Sequence, residues 1–230
     1  MRKLYYTTGS PYARAVRIVL HEKGLPFDSD ETITTPSVEE RAKATPTLQV
    51  PTLVDGTVKL WDSVVIIDYL MATYPNAPAP VGQMPFAGLL VRPERQWQDK
   101  LALATLATLG VSAVTISQLQ WSGVPQSENG FAARSAIRIQ HLLDWFELEL
   151  ISEAEGFLPG VVSAQDVFLA AWIMFMDKRP LGLVWRASSR PKIAALHDRL
   201  VDRPSFKAHP VLWWEPGIIG YTATGDPIRQ

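Results

Sequence analysis

The 230-residue sequence contains no cysteine. That absence excludes a disulfide framework, a thiolate metal site, a cysteine nucleophile and any redox thiol carried by the protein itself, so any sulfur chemistry must arrive with a ligand. Neither sign of charge is in surplus: 22 Lys and Arg against 23 Asp and Glu give a net charge of −1. No basic excess is available to hold nucleic acid or acidic lipid non-specifically, and neither is expected as a partner. Long apolar runs are missing too. The most apolar stretch, Val167 to Met176, is about half a bilayer span and reads as a buried core helix. The opening residues MRKLYYTTGSPYARAV lack the apolar segment and small-residue cleavage site of a secretory signal, which points to the cytoplasm. Phosphate-cradling G-x-G-x-x-G and G-x-x-x-x-G-K-[ST] patterns and the G-x-S-x-G nucleophile elbow do not occur. His21, His141, His197 and His209 are scattered without ligand spacing, so no metal is expected.

What is present divides into two regimes. Hydrophobic residues make up 47% of the chain, enough for a packed core. Up to about residue 74, short β-like runs alternate with helical ones. Lys3–Tyr6 is predicted as a strand, Pro11–Lys23 as a helix ended by Gly24, Phe27–Glu31 as a second strand and Ser37–Ala44 as a short helix. Thr52–Val54 and Thr57–Trp61 flank Asp55-Gly56, a strong hairpin signal, and Ser63–Thr73 reads as a helix. The order βαβ then ββα predicts a small mixed sheet, close to a thioredoxin-like arrangement. Four prolines between Tyr74 and Pro85 read as a linker. Beyond it, Pro93–Ser117, Phe131–Ile151, Ser163–Met176 and Arg190–Val201 are helical in period. The expected organisation is an α/β thioredoxin-like domain at 1–76, a linker at 77–88 and an all-α domain at 89–230.

Ser10-Pro11 combines a favoured N-cap with proline at the first helical position. Capping alone accounts for it, yet the same geometry puts a hydroxyl at the positive end of a helix, where it can donate to an anion. Val50-Pro51 opens the hairpin. A trans bond is the default there, although this position can also offer the backbone of Val50 to a peptide ligand. Asp62-Ser63 reads as an N-cap pair, or as a site where Ser63 and helix amides hold a carboxylate while Asp62 meets an ammonium. Ser163-Ala-Gln-Asp166 is a capping box of structural purpose. Glu39-Glu40 and Arg14/Arg17 are expected on solvated faces. Trp97, Trp121, Trp172, Trp213 and Trp214 are expected as core or pocket lining.

Taken in order, SPYARAVRIVLHEKGLPF (Ser10–Phe27), TPTLQVPTLVDG (Thr45–Gly56), LWDSVVIIDYL (Leu60–Leu70), the Ser163–Asp166 box and RPSFKA (Arg203–Ala208) resemble the glutathione S-transferase superfamily, and the start is most similar to its serine-type members. The resemblance implies glutathione as co-substrate, Ser10 against its sulfur, Val50 before a cis Pro51 along the cysteinyl unit, and Asp62 and Ser63 on the γ-glutamyl ammonium and carboxylate. It also implies Gln49 near the ligand's carboxylates, with Lys43 a weak candidate for the glycyl end, and it ranks Ser10 above Tyr6. A homodimer acting on a hydrophobic electrophile follows by the same analogy, with a pocket lined by the Pro93–Ser117 helix and the tail. The rival expectations are a glutathione-dependent isomerase, dehalogenase or ether-cleaving specialist, and a non-enzymatic binding module of the same fold. Without cysteine, a thioltransferase or dehydroascorbate-reductase role through a mixed disulfide with the protein is not expected.

Overall fold

The computed structural model describes residues 1–31, 35–75, 83–88, 91–179, 181–213, 218–221 and 227–229. The chain divides into two compact units, Met1–Val81 together with Pro204–Gln230, and Gly82–Arg203.

In the first unit, β1 (Arg2–Tyr6), β2 (Asp28–Glu31), β3 (Thr52–Asp55) and β4 (Val58–Trp61) form a sheet in the order β2-β1-β3-β4. β1 is parallel to β2 and antiparallel to β3, which is antiparallel to β4. The parallel pair needs a crossover, and α1 (Pro11–Glu22) supplies it. Gly24, at φ 61°, ends α1 in the left-handed region that glycine enters without steric cost. Gly56, at φ 62°, does the same in the β3–β4 turn. α2 (Thr35–Ala42) follows β2, and α3 (Ser63–Thr73) packs on α1. The core is Leu4, Val16, Val19, Leu20, Leu53, Ile66, Ile67 and Leu70, each fully buried. Asp55 closes the hairpin end by accepting from Arg2 Nε at 3.2 Å, Tyr69 OH at 3.3 Å and Tyr74 OH at 2.7 Å. The thioredoxin-like mixed sheet is therefore present.

The second unit is helical. α4 (Gln96–Trp121) packs on α5 (Gly130–Glu149) and on α6 (Ala164–Asp177), and α7 (Pro191–Val201) packs on α5 and α6. α6 is buried along almost its whole length. Its start is the expected capping box: Asp166 accepts from Ser163 N and Ser163 Oγ, both at 2.7 Å, and from Phe157 N at 3.0 Å.

Several expectations change. Short strands β5 (Phe86–Gly88) and β6 (Val162–Ser163) pair in the helical unit; at two or three residues they carry no readable period. Pro204–Gln230, expected within 89–230, groups with the first unit. The reason is α8 (Pro204–Ala208), which packs on α1, where Ser205 Oγ bonds to Glu22 and Arg14 Nε donates to the His209 carbonyl at 2.6 Å. β7 (Ile218–Tyr221) and β8 (Pro227–Arg229) form an antiparallel hairpin in the tail. Arg14 and Arg17 are not on a solvated face; both are buried. Trp172 is core, but Trp97 is 67% and Trp121 38% exposed. Pro93–Trp121 is long and apolar enough to cross a bilayer by length and composition, a segment longer than the Val167–Met176 run; its Leu106, Leu109, Ala113 and Ile116 are buried within the unit. Trp214 and residues 77–82 of the expected linker lie outside the described residues.

Candidate functional site

The register of the sheet brings the candidate residues to one end. Tyr5 pairs with Thr52, and Thr52 pairs with Trp61. β1 therefore leaves the sheet, β3 enters it and β4 leaves it at the same edge. The segments just outside that row are Thr7–Ser10, Gln49–Pro51 and Asp62–Ser63. Two helices, α1 and α3, begin there, so their N-terminal N–H groups and positive dipole ends share that edge.

Ser10 is the N-cap of α1. Its Oγ accepts from Ala13 N at 3.2 Å, its carbonyl accepts from Arg14 N at 3.0 Å, and its amide donates to the Thr7 carbonyl at 3.1 Å. It is half-buried. Oγ acts only as an acceptor in these bonds, so the hydroxyl proton is free to donate outward. Tyr6, by contrast, directs its OH to Glu31 Oε1 at 3.4 Å, under the Arg17 guanidinium.

The Val50–Pro51 bond is cis. Pro51 is buried, Val50 is half-buried and Gln49 is exposed. The loop is held from within: Thr52 Oγ1 donates to the Gln49 carbonyl at 3.1 Å, and Thr47 Oγ1 accepts from Gln49 N at 3.3 Å. Leu48 in this loop has φ 56° and is 49% exposed. Lys43 is exposed, and its carbonyl takes Lys59 Nζ at 3.2 Å.

Asp62 caps α3 from φ 73°, a region non-glycine residues rarely occupy. One oxygen does all of the capping: Oδ1 accepts from Val64 N at 2.8 Å and Val65 N at 3.2 Å. No bond engages Oδ2 among the described residues, and the side chain is exposed. Ser63 follows at the first helical position and is buried. Tyr12 lies on α1 two residues past Ser10, and burial, and then the Asp62 charge, push its phenol up to about 12. Nothing in the sequence singled out Tyr12 or Leu48, because neither residue type announces its role. Among the described residues, no group of three His, Asp or Glu side chains could hold a metal. A cavity of about 70 Å³ in the helical unit is lined by other residues, including the Arg92–Asp99 pair, and by none of those above.

Residues 4–78 match the family model for the N-terminal domain of glutathione S-transferases. The dichloromethane dehalogenase of Methylorubrum extorquens is 35% identical over an alignment covering 100% of this chain and 78% of that protein. The chain belongs to the glutathione S-transferase superfamily. A second relative of this superfamily member is the stringent starvation protein A homolog of Pasteurella multocida, 34% identical over 47% of this chain and 53% of that one. The chain thus spans about half the length of that curated relative. Among solved structures, a glutathione S-transferase of Methylobacillus flagellatus with GSH bound superposes with a TM-score of 0.71, covering 91% of this chain and 98% of that one at 21% identity. That likeness concerns the fold.

Proposed function

We propose that this glutathione S-transferase superfamily member binds glutathione along the edge built by Thr7–Ser10, Gln49–Pro51 and Asp62–Ser63, and activates its sulfur as a thiolate. The observation that carries the reading is the Ser10 hydroxyl at the mouth of α1, with its proton uncommitted. Val50 offers its backbone to the cysteinyl unit next to the cis bond. Asp62 Oδ2 meets the γ-glutamyl ammonium, the hydroxyl and amide of Ser63 hold the γ-glutamyl carboxylate, and Gln49 lies near the remaining carboxylate.

The energies suffice. A free thiol has a pKa near 8.5 and is only a few per cent ionised at neutral pH. Lowering it by about two units needs roughly 2.7 kcal/mol of preference for the anion. A hydrogen bond to a charged group supplies about 1.5–3 kcal/mol, and a helix N-terminus about 0.3–1 kcal/mol more. Ser10 donates without ionising itself, and no general base is required. The thiolate then attacks an electrophilic carbon: the S–C bond forms, and the leaving group departs with the electron pair.

A halogenated alkane is the electrophile favoured by one specific observation, the similarity along the whole of this chain to a dichloromethane dehalogenase. In that case chloride is the leaving group. The similarity to a stringent starvation protein A homolog supports the other reading, a binding module without turnover. Calorimetry with glutathione, followed by rates on aryl halides and halogenated alkanes, separates them. Conjugation or halide release supports the enzyme, and absence of glutathione binding refutes it and favours the module. We further propose a cytoplasmic homodimer, which a monomer by light scattering at micromolar concentration would refute.

A further inference from the structure

Ser10, Arg14, Arg17 and His21 recur at i, i+4, i+7 and i+11, one face of α1. The residues packed against that face come from three other elements: Tyr6 on β1, Glu31 on β2, and Phe206 with the adjoining His209 at α8. Arg14 is 3% and Arg17 6% exposed. The Arg14 guanidinium lies 5.3 Å from the Phe206 ring centre and donates to the His209 carbonyl. The Arg17 guanidinium lies 4.6 Å from the Tyr6 ring centre, at the β1 end from which the Ser10 loop departs. Arg17 Nε and one terminal nitrogen have no hydrogen-bond partner among the described residues.

Burying cations with spare donors is costly for folding alone. Burial and the neighbouring Arg17 charge bring Arg14 down to about 9, and burial lowers Arg17 against the raising influence of Tyr6 and Glu31. Arg14 therefore stays charged at neutral pH. Glu22, one residue past His21, bonds to Ser205, and the ring of His209, 5.6 Å from that of His21, is held neutral with its pKa down at about 3. Glu31, exposed and reached through Tyr6, is the carboxylate that faces Arg17.

We propose that Arg14 and Arg17 are positioning residues: buried cations one and two turns behind Ser10 whose field holds the glutathione sulfur in its anionic form without touching it. This rests on the reading of Ser10 given above. Long helical side chains lean toward the helix N-terminus, so these charges are displaced toward the sulfur. At an effective dielectric of about 20, a unit charge roughly 10 Å away is worth on the order of one pH unit in a thiol pKa. Burial keeps salt from screening it.

The test is the pKa of the bound thiol in the full-length protein, read from ultraviolet thiolate absorbance between about pH 5 and 9. The wild-type value is expected well below that of free glutathione. Arg17→Met raises it by about one unit, so that about ten-fold less thiolate is present at pH values below both pKa values, whereas Arg17→Lys keeps it low. Glu31→Gln, at an exposed position that does not threaten folding, moves it the opposite way by a few tenths of a unit. A lowered wild-type pKa that does not respond to Arg17→Met and Glu31→Gln overturns this inference and leaves the Ser10 reading intact. If Arg17→Met does not fold, an unchanged value in Glu31→Gln alone overturns it. A wild-type protein that binds no glutathione, or binds it with an ordinary thiol pKa, overturns both.

Discussion

Asp62 combines two duties that substitution can separate. Its Oδ1 caps α3 at 2.8 and 3.2 Å from a backbone at φ 73°, and its Oδ2 is the proposed acceptor for an ammonium. Asn retains the cap and tolerates positive φ, so Asp62→Asn should leave stability within about 0.5 kcal/mol of wild type. The charge is lost, however. A hydrogen bond between ions is worth about 1.5–3 kcal/mol, and the exposure of this side chain puts it at the lower end, so glutathione affinity should fall roughly ten-fold. Asp62→Gly keeps the backbone at ease and costs only a few tenths of a kcal/mol of cap, with the same loss of affinity. Asp62→Ala loses the cap, about 0.5–2 kcal/mol, at a backbone position whose Cβ the wild type already carries. Denaturant unfolding and calorimetry with glutathione read the two duties separately. Asn and Gly variants that bind like wild type would make Asp62 a cap only, and an Ala variant as stable as wild type would refute the cap energetics.

The other predictions concern the scaffold. Asp166→Ala strips the acceptor from Ser163 N, Ser163 Oγ and Phe157 N and should cost roughly 3–5 kcal/mol in denaturant unfolding; a loss below about 1 kcal/mol would contradict the network. A Cβ at Gly110 would lie 2.8 Å from Trp172 Cζ2, so Gly110→Ala should lose about 1–2 kcal/mol, because overpacking of about 1–3 kcal/mol outweighs the helix-propensity gain. A stabilised variant would refute that. His209 is held neutral, its pKa lowered to about 3 by burial and by the charges of Arg17, His21 and Arg14. Since the unfolded ring titrates near 6.5, its contribution to stability is constant above about pH 6.5 and falls as pH drops from there toward about 3. His209→Gln should flatten that slope, and an unchanged slope would assign it to other groups.

Much of the first unit was legible because its signals are local. Asp55-Gly56 set the hairpin, Gly24 the end of α1, and Ser10, Asp62 and Ser163 the starts of their helices, all within four residues of the feature they control. The failures share a cause, distance along the chain. Arg14 and Arg17 read as solvated because the residues that bury Arg14, Phe206 and His209, lie at the other end of the sequence. The pairing of β5 with β6 joins segments too short to show a period. The positive φ of Asp62 depends on how β4 meets α3, which residue types alone do not specify. Trp97 is open in the sequence between core and pocket lining, and its exposure removes the first; residue type does not say which face of an apolar helix an aromatic occupies.

The most direct measurement is the pKa of the glutathione thiol bound to wild type and to Ser10→Ala. The account predicts a depressed value in wild type and a rise of about one to two units toward 8.5 in the variant, with a stability loss of about 0.5–2 kcal/mol from the missing cap. Reduced stability with an unchanged bound-thiol pKa would make Ser10 a helix cap and nothing more.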